Sequence, residues 1–436
     1  MIAVMTIAGS DSGGGAGIQA DVRTFAALGV HGTSVVTAIT AQNTLGVVDA
    51  LNLPPEFVVA QINAVLSDID IRCAKTGMLS TVETADAVVE ALLRRDFPIV
   101  VDPVMEAEAG GKLMTGRPKD ILARLLPYAA VVTPNIREAE AISGIAIHNL
   151  DDMKRAACEI FALGPKSVVI TGGHLGGTDV FYDGDFELLR GKLIKAGTHG
   201  AGCTFSAAVA AFLAKGHSLG QSASMAKAFV IEAIRNSESV GSGSGVVNQF
   251  AVTLDTAERY LTLLDVDVGL RTIKAINSDL IPKVGSNLAM AISCAKKVGD
   301  VAAVKGRIVR VRGTIRPVGC VAFGASRNMA RVVLTALQYD HTMKSAMNVR
   351  RSDEVVEACQ ELNLVAEGLD RAAELGRILG GPGTVRAIEM SVKHSGGVPD
   401  VIFSLGSVAK EPMAYILGHS AQHVADKVAQ ISSTIR

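Results

Sequence analysis

The nine residues Thr198-His199-Gly200-Ala201-Gly202-Cys203-Thr204-Phe205-Ser206 constrain this chain more than any other stretch. They lead into residues 207–213, a run of helix-forming and apolar side chains without a breaker. A glycine turn that opens a helix predicts an anion site, because the backbone can approach closely and the first helical N–H groups point at the anion. Cys203 stands at this helix start, where a thiolate is favoured. A tight turn into a buried helix, with Cys203 as a small apolar side chain, fits the same residues.

Composition limits the class of protein. A chain of 436 residues predicts two or three domains. With 19% charged residues, 49% apolar residues and a net charge of −1, it gives no electrostatic reason to expect a nucleic-acid or membrane partner. The six cysteines lack C-x-x-C spacing, and the apolar N-terminus lacks a basic flank. We therefore expect a reduced cytoplasmic protein without a structural zinc site.

The first 260 residues alternate short β-branched runs with Ala-rich amphipathic segments, which predicts a doubly wound α/β domain. The predicted strands are 2–7, 34–40, 99–102, 130–133 and 167–171. A last helix is expected over 255–264. The domains are predicted as 1–265 and 270–436, the second being smaller and of mixed α/β character. Its predicted helices are 286–297, 325–337 and 352–361.

Polar residues follow several of the predicted strands. A second glycine-rich loop, Gly9 to Asp21, follows the first strand, and Asp102, Asn135 and Glu138 follow later ones. The glycine loop has neither a Walker lysine nor the dinucleotide-binding spacing. Two carboxylates and an amide near an anion site suit a magnesium nucleotide, because Mg²⁺ takes oxygen ligands and bridges phosphates.

Taken together and in this order, these motifs resemble the hydroxymethylpyrimidine/phosphomethylpyrimidine kinase family, which has the ribokinase-like fold. The resemblance covers residues 1 to about 250. It implies ATP and Mg²⁺ as cofactors and small-molecule pyrimidine substrates. A pyridoxal-type kinase is a weaker alternative, disfavoured by the context of Gln42 and Met78.

The resemblance also implies roles for individual residues. Asp21 and Gln42 would bind the aminopyrimidine, with Met78 packed on its ring, and a planar heteroaromatic suits such a clamp. Gly200, Gly202 and Cys203 would form the anion hole for the transferred phosphoryl group. The remaining assignments are Asn135, Glu138, Thr171 and Gly173 for the nucleotide, and Asp102 with Glu138 for the metal. Thr171 and Glu108 stand where the family often has lysines.

The second predicted domain carries arginines suited to a diphosphate. Arg327 and Arg331 are four residues apart and share one helical face. Asn348, Arg350 and Arg351 precede another predicted helix. Guanidinium groups match phosphate oxygens bidentately, although solvated helix faces would explain the same arginines.

Residues 270–436 resemble the archaeal-type thiamin-phosphate synthase domain. The resemblance rests on 331–340, 346–350, 397–400 and Lys410-Glu411-Pro412-Met413. It implies that Arg331 and Arg350 are catalytic, and that Asn348 and Lys410 bind substrate. A charged pair common in that family is absent at Ser404-Leu405. We therefore expect a bifunctional enzyme of thiamin biosynthesis that forms homo-oligomers. In the alternative, the chain is a kinase only and its C-terminal domain is a non-catalytic ligand-sensing or assembly module.

Overall fold

The computed structural model describes residues 1–93, 95–105, 118–173, 175–194, 196–368, 388–389, 392–393, 396–404 and 411–435. They form two compact units, 1–253 and 254–436. Each unit has its own hydrophobic cores. None of the described helices combines the length and the apolar character needed to cross a membrane.

A nine-stranded sheet organises the first unit. Its strands are β1 (Ala3–Asp11), β2 (His31–Asn43), β3 (Gly46–Asn52), β4 (Ile71–Thr76), β5 (Ile99–Val101), β6 (Val131–Val132), β7 (Val168–Ile170), β8 (Asp179–Tyr182) and β9 (Phe186–Leu189). They lie in the order β3-β2-β1-β4-β5-β6-β7-β8-β9. Strands β1, β2 and β4 to β7 run parallel, while β3, β8 and β9 are antiparallel additions at the edges. The carboxyl ends of the parallel strands therefore share one edge, where ligands bind in open α/β sheets.

Eight helices cover the two faces of this sheet. They are α1 (Gly17–Ala27), α2 (Pro55–Leu66), α3 (Val82–Leu92), α4 (Pro118–Leu125), α5 (Ile136–Ser143), α6 (Leu150–Phe161), α7 (Ala201–Ala214) and α8 (Leu219–Arg235). Helices α2 to α6 pack on one face, and α1, α7 and α8 pack on the other. In β1, Met5 and Ile7 face the first group, and Val4 faces the second. This alternation places Thr6 on the side of α1 and α7.

A seven-stranded sheet organises the second unit, in the order β14-β11-β10-β15-β18-β17-β16. The strands of this unit are β10 (Leu288–Ala291), β11 (Val301–Val304), β12 (Ile308–Val311), β13 (Thr314–Pro317), β14 (Val321–Phe323), β15 (Ser345–Arg350), β16 (Ala366–Gly368), β17 (Val401–Ser404) and β18 (Met413–Gly418). Strands β12 and β13 form a separate hairpin. Of the pairs in the larger sheet, β16 and β17 are parallel and the others antiparallel.

The helices of the second unit are α9 (Ala251–Ile273), α10 (Arg327–Tyr339), α11 (Asp353–Glu361) and α12 (Ala421–Thr434). Helices α9, α11 and α12 pack on one face of the seven-stranded sheet, and α10 packs on the other. The prediction of a doubly wound domain followed by a smaller mixed α/β domain is confirmed. The domain bounds of 265 and 270 stay predictions, because α9 runs without a break through that region.

One predicted helix is wrong. Residues 286–297 contain β10, an interior strand of the sheet, and not a helix. Leu288 and Met290 pack into the core on one face of the sheet, while Ala289 and Ala291 pack into the core on the other. A strand that is buried on both faces reads as a continuous apolar run, which periodicity alone does not separate from a buried helix.

Candidate active site

Two glycine loops meet at the carboxyl edge of the nine-stranded sheet. The first loop, residues 12–17, follows β1 and opens α1, and the second loop, residues 197–202, opens α7. Gly200 has a φ of +84°, and a Cβ there would lie 1.9 Å from the carbonyl oxygen of Gly15. A Cβ on Gly15 would lie 2.2 Å from the ring of His199. The loops therefore pack backbone against backbone, which only glycine allows at these two positions.

Asp11 fills the first glycine loop from within. Its carboxylate accepts hydrogen bonds from the N–H groups of Gly13 (2.8 Å), Gly15 (3.0 Å) and Ala16 (2.8 Å). Burial would raise the pKa of Asp11, but the hydrogen bonds from His199, Ala16 and Gly13 outweigh it and hold the pKa below its usual value. Because this carboxylate occupies the N–H cradle, the first loop does not offer those groups to a phosphate.

The second glycine loop has the more open helix start. Gly200 is the N-cap of α7, and none of the described side chains caps it. A Cβ added to Gly202, in the first helical turn, would meet nothing within 4 Å. Uncapped N–H groups at a helix start attract anions. The anion site predicted from Gly200, Gly202 and Cys203 is therefore sterically available here.

The thiol of Cys203 lies between the starts of two helices. It is half-buried on α7, close to the N–H group of Gly17 at the start of α1. The expectation that Cys203 is a thiolate is wrong. Burial raises the pKa of the Cys203 thiol to about 12, because it outweighs the attraction of the Lys75 ammonium group. Cys203 is therefore a thiol at neutral pH.

A network of buried charges underlies this thiol. The Nζ atom of Lys75 lies 2.9 and 3.0 Å from the two carboxylate oxygens of Asp21, and the Thr6 hydroxyl donates to Asp21 at 2.6 Å. The same Nζ lies 3.6 Å from Oδ2 of Asp102, which accepts a 2.8 Å hydrogen bond from the Ser206 hydroxyl. Burial opposes the charge of Lys75, but the carboxylates outweigh it and raise the pKa of Lys75.

The two carboxylates predicted as metal ligands lie within electrostatic reach of each other. Glu138 forms a capping box with Asn135 at the start of α5, with hydrogen bonds of 2.9 and 3.0 Å. Burial and the charge of Asp102 raise the pKa of Glu138 to about 8, against hydrogen bonds from the N–H groups of Asn135 and Met105. A cation bound between two such carboxylates would relieve the repulsion between their negative charges.

Mg²⁺ fits this donor set as an ion held jointly by protein and substrate. The described residues hold no group of three His, Cys, Asp or Glu side chains that would bind a metal ion alone. Mg²⁺ is commonly bound by one or two carboxylates together with phosphate oxygens and waters. Asp102 and Glu138 supply the protein share of such a site.

The residues predicted to bind the nucleotide lie at the next strands along the same edge. Asn135 and Thr171 form a parallel β-bridge. Gly173 is exposed, and a Cβ there would meet nothing within 4 Å. The neighbouring N–H group of Gly172 donates to Asp179, which also forms a 2.7 Å ion pair with Lys227. Glu108, the other departure from the family, lies outside the described residues.

Two of the three residues predicted to hold the pyrimidine lie beside the β1 end. Gln42 is half-buried, and its backbone N–H and C=O both bond the Ser12 hydroxyl, at 2.8 and 2.7 Å. The sulfur of Met78 would lie 2.9 Å from a Cβ on Gly9. Asp21 differs, because it is fully buried and both of its oxygens are engaged by Thr6 and Lys75. The structure does not present Asp21 to a ligand.

In the second unit, the predicted residues differ in exposure. Arg331 on α10 and Arg350 at the end of β15 are exposed. Arg350 lies on the same face of β15 as Ala346, which packs in one core with α10, so Arg350 and α10 lie on the same side of the sheet. Asn348 is buried, with its amide bonded to the backbone of Asn287 and Gly285. Lys410 lies outside the described residues.

Sequence reasoning missed Asp11, Lys75, His199 and Ser206. The signal for Lys75 was a lone lysine inside an apolar strand, since lysine is almost never fully buried without a partner. Asp11 lies in the first glycine-rich stretch and His199 in the second, and their contact joins residues 188 positions apart in sequence. Only the fold brings that pair together.

The first unit thus has the fold of a small-molecule kinase, with an uncapped helix start and two carboxylates at the carboxyl ends of its strands. The sequence model of the family "phosphomethylpyrimidine kinase" matches residues 11–248, more than half of the chain. The chain belongs to the phosphomethylpyrimidine kinase family. Residues 265–430 match the model of the family "thiamine-phosphate synthase ThiN".

Curated relatives agree with the first match. The hydroxymethylpyrimidine/phosphomethylpyrimidine kinase of Rhizobium meliloti is 48% identical over 257 residues, covering 56% of this chain and 96% of that protein. The thiamine biosynthesis bifunctional protein ThiED of Geobacter sulfurreducens is 43% identical over 263 residues. That match covers 59% of this chain and 54% of the relative, so the chain spans about half the length of the bifunctional protein.

A solved structure confirms the ribokinase-like fold of the first unit. The pyridoxal kinase of Staphylococcus aureus in complex with AMP-PCP and pyridoxal is 38% identical, with a TM-score of 0.53. The match covers 58% of this chain and 94% of the Staphylococcus aureus chain. The chain therefore joins a region of the phosphomethylpyrimidine kinase family to a region that matches the thiamine-phosphate synthase ThiN model.

Proposed function

We propose that the first unit phosphorylates hydroxymethylpyrimidine, and then its monophosphate, with MgATP. The observation that carries this is the uncapped start of α7 beside Asp102 and Glu138, with Gln42 and Met78 near the first glycine loop. The substrate oxygen forms a bond to the γ-phosphorus while the bond to the β-phosphate oxygen breaks, and ADP leaves; in the first phosphorylation the hydroxyl proton passes to a phosphate oxygen or to water. The helical N–H groups stabilise the charge on the transferred phosphoryl group.

Bound Mg²⁺ would neutralise charge on the phosphates and orient them. Asp102 and Glu138 would hold it, together with phosphate oxygens. The proton of the attacking hydroxyl does not go to Cys203, because a group with a pKa of about 12 is already protonated at neutral pH. Positioning and charge neutralisation, which dominate phosphoryl transfer, are the contributions left to this site.

A pyridoxal kinase is the second candidate for the first unit, and the Staphylococcus aureus likeness favours it. The purified full chain separates the two when it is supplied with MgATP and either hydroxymethylpyrimidine, its monophosphate or pyridoxal. We expect kcat/KM to be highest for the two pyrimidines. A preference for pyridoxal by tenfold or more, about 1.4 kcal/mol of transition-state binding, would replace our assignment.

The second unit is proposed to couple the pyrimidine diphosphate to a thiazole phosphate. A C–N bond forms to the thiazole nitrogen as the C–O bond to the diphosphate breaks, which gives thiamin phosphate and pyrophosphate. Two exposed arginines, Arg331 on α10 and Arg350 on the side of the sheet that α10 covers, support this because leaving pyrophosphate needs fixed cations. The alternative is a ligand-sensing or assembly module, which would bind ligand without forming thiamin phosphate.

Self-association is proposed through β3, the edge strand of the first sheet. Val48 is 81% exposed and Leu51 is 65% exposed, with Ile39 of β2 alongside. An exposed apolar edge strand is a template for pairing, and a second copy of the same edge would satisfy it. Light scattering of the full chain should therefore show a dimer that Val48→Lys with Leu51→Lys converts to a monomer. A wild-type monomer would contradict this.

A further inference from the structure

Lys75 is the buried cation closest to the predicted metal carboxylates. It lies on β4 with no exposed surface, opposite Thr6 of β1 and Val100 of β5. Its side chain faces α1 and α7, the side on which the Thr6–Asp21 hydrogen bond also lies. A fully buried lysine requires charged partners, because desolvation of an unpaired ammonium group is costly.

The partners of Lys75 come from two separate elements. Asp21, on α1, takes two short contacts of 2.9 and 3.0 Å, and Asp102, after β5, lies at 3.6 Å. Lys75 contacts Oδ2 of Asp102, and the Ser206 hydroxyl donates a 2.8 Å hydrogen bond to the same oxygen. None of the described residues hydrogen-bonds Oδ1 of Asp102. Among the described residues, Oδ2 is thus held by Lys75 and Ser206, and Oδ1 has no hydrogen-bond partner.

We propose that Lys75 is a positioning residue of the kinase site, which joins Asp21 to Asp102 and holds the Asp102 carboxylate in the orientation that binds the nucleotide-bound metal. Lys75 itself touches neither substrate nor metal. This inference rests on the proposed nucleotide site, but it does not depend on which small molecule is phosphorylated.

A purely structural ion pair would stabilise the fold without a specific effect on metal binding. The second unit offers a matched control. Lys427 on α12 is also buried, and it contacts Asp400 at 2.5 Å and the carbonyl oxygen of Leu417 at 2.9 Å. Lys427→Met removes a comparable buried cation at a position with no part in the kinase site.

The test is calorimetric titration of the full chain with ADP, once with EDTA and once with Mg²⁺. In the wild type, Mg²⁺ should strengthen ADP binding. Lys75→Met should reduce that Mg²⁺-dependent gain by about tenfold or more, while affinity in EDTA changes less than twofold, since a misplaced ligand weakens metal binding selectively. Ser206→Ala should reduce the gain less, and Lys427→Met should leave both affinities unchanged.

If Lys75→Met does not fold, Lys75→Met with Asp21→Leu takes its place, because removing both charges of a buried pair is often tolerated. A Mg²⁺-dependent gain equal to that of the wild type would overturn the proposal. Equal losses with and without Mg²⁺, or a wild type without any Mg²⁺ effect, would also overturn it. Because this readout needs no pyrimidine, failure to phosphorylate hydroxymethylpyrimidine refutes the proposed function and leaves this result interpretable.

Discussion

The Nε2 atom of His199 lies 3.3 Å from Oδ2 of Asp11, and this contact joins two glycine loops that are 188 residues apart in sequence. Both side chains are almost fully buried. Asp11 also satisfies three N–H groups of its own loop. The pair therefore couples the start of α1 to the start of α7, which is where the proposed phosphoryl site lies.

Asp11→Ala should destabilise the first unit. Three buried or half-buried N–H groups lose their acceptor, and each unsatisfied buried group costs about 1–3 kcal/mol, of which water recovers part at exposed positions. We expect the free energy of unfolding in urea to fall by about 2–4 kcal/mol. Asp49→Ala is the control, because within the described part of the chain that exposed carboxylate accepts a hydrogen bond from the N–H group of Ala50 alone. A loss under about 0.5 kcal/mol, the range of ordinary surface substitutions, would show that the cradle does not need the carboxylate.

Cys203 should react slowly with iodoacetamide. The thiolate is the reactive form, and a pKa of about 12 leaves very little of it at pH 8. Peptide mapping after timed alkylation should show Cys203 modified far later than the exposed Cys294 and Cys320. Equal rates for the three cysteines would contradict the burial argument.

Cys203→Ala also tests the catalytic role predicted for the thiol. We expect kcat for the pyrimidine to fall and KM to change little, because the protonated thiol at the start of α7 can donate a hydrogen bond to the transferred phosphoryl group. Near-normal turnover would mean that the backbone N–H groups carry the step and that the thiol only fills space.

The two glycine loops and the polar residues that follow the strands could be predicted from the sequence, because glycines and strand ends mark these turns directly. The strands around 34–40 and 167–171 and the helix start at Gly200 followed from the same signals. Helix α7 was predicted from its run of helix-forming residues and not from periodicity, since residues 207–211 are all buried and form no polar face. The roles of Asp21 and Lys75 depend on the register of β1 with β4, which local patterns do not encode.

Gln42→Leu should weaken pyrimidine binding. In the proposed pocket the amide pairs with the ring edge, and an unpaired polar edge in a dry site costs about 1–3 kcal/mol, or roughly 5- to 150-fold in affinity. Calorimetry with hydroxymethylpyrimidine measures this, and the fold should persist because the backbone of residue 42 keeps its bonds to Ser12. Unchanged affinity would remove Gln42 from the pyrimidine site.

Glu138 should make the stability of the first unit depend on pH. Burial and Asp102 raise its pKa from 4.5 to about 8 in the folded chain, so between these values the folded carboxyl holds a proton that the unfolded one releases. Stability should therefore fall as pH rises through this window, by at most about 1.4 kcal/mol per pH unit from this group. Glu138→Gln should flatten that slope in urea unfolding at pH 5 to 8. An identical slope in both proteins would contradict the raised pKa.

The last prediction concerns Arg331 in the second unit. If this unit is a synthase, negative charge builds on the departing pyrophosphate, and a fixed guanidinium group stabilises that charge most in the transition state. Arg331→Ala should then lower kcat for thiamin phosphate formation more than it raises KM for the pyrimidine diphosphate. The assay supplies the full chain with pyrimidine diphosphate, thiazole phosphate and Mg²⁺. Arg271→Ala provides a control cation, because Arg271 is exposed on α9, which packs on the face of the sheet opposite α10. In a sensor, Arg331→Ala would weaken ligand binding while neither protein formed thiamin phosphate. A wild-type rate at background would therefore refute the synthase assignment and leave ligand sensing as the function of the unit.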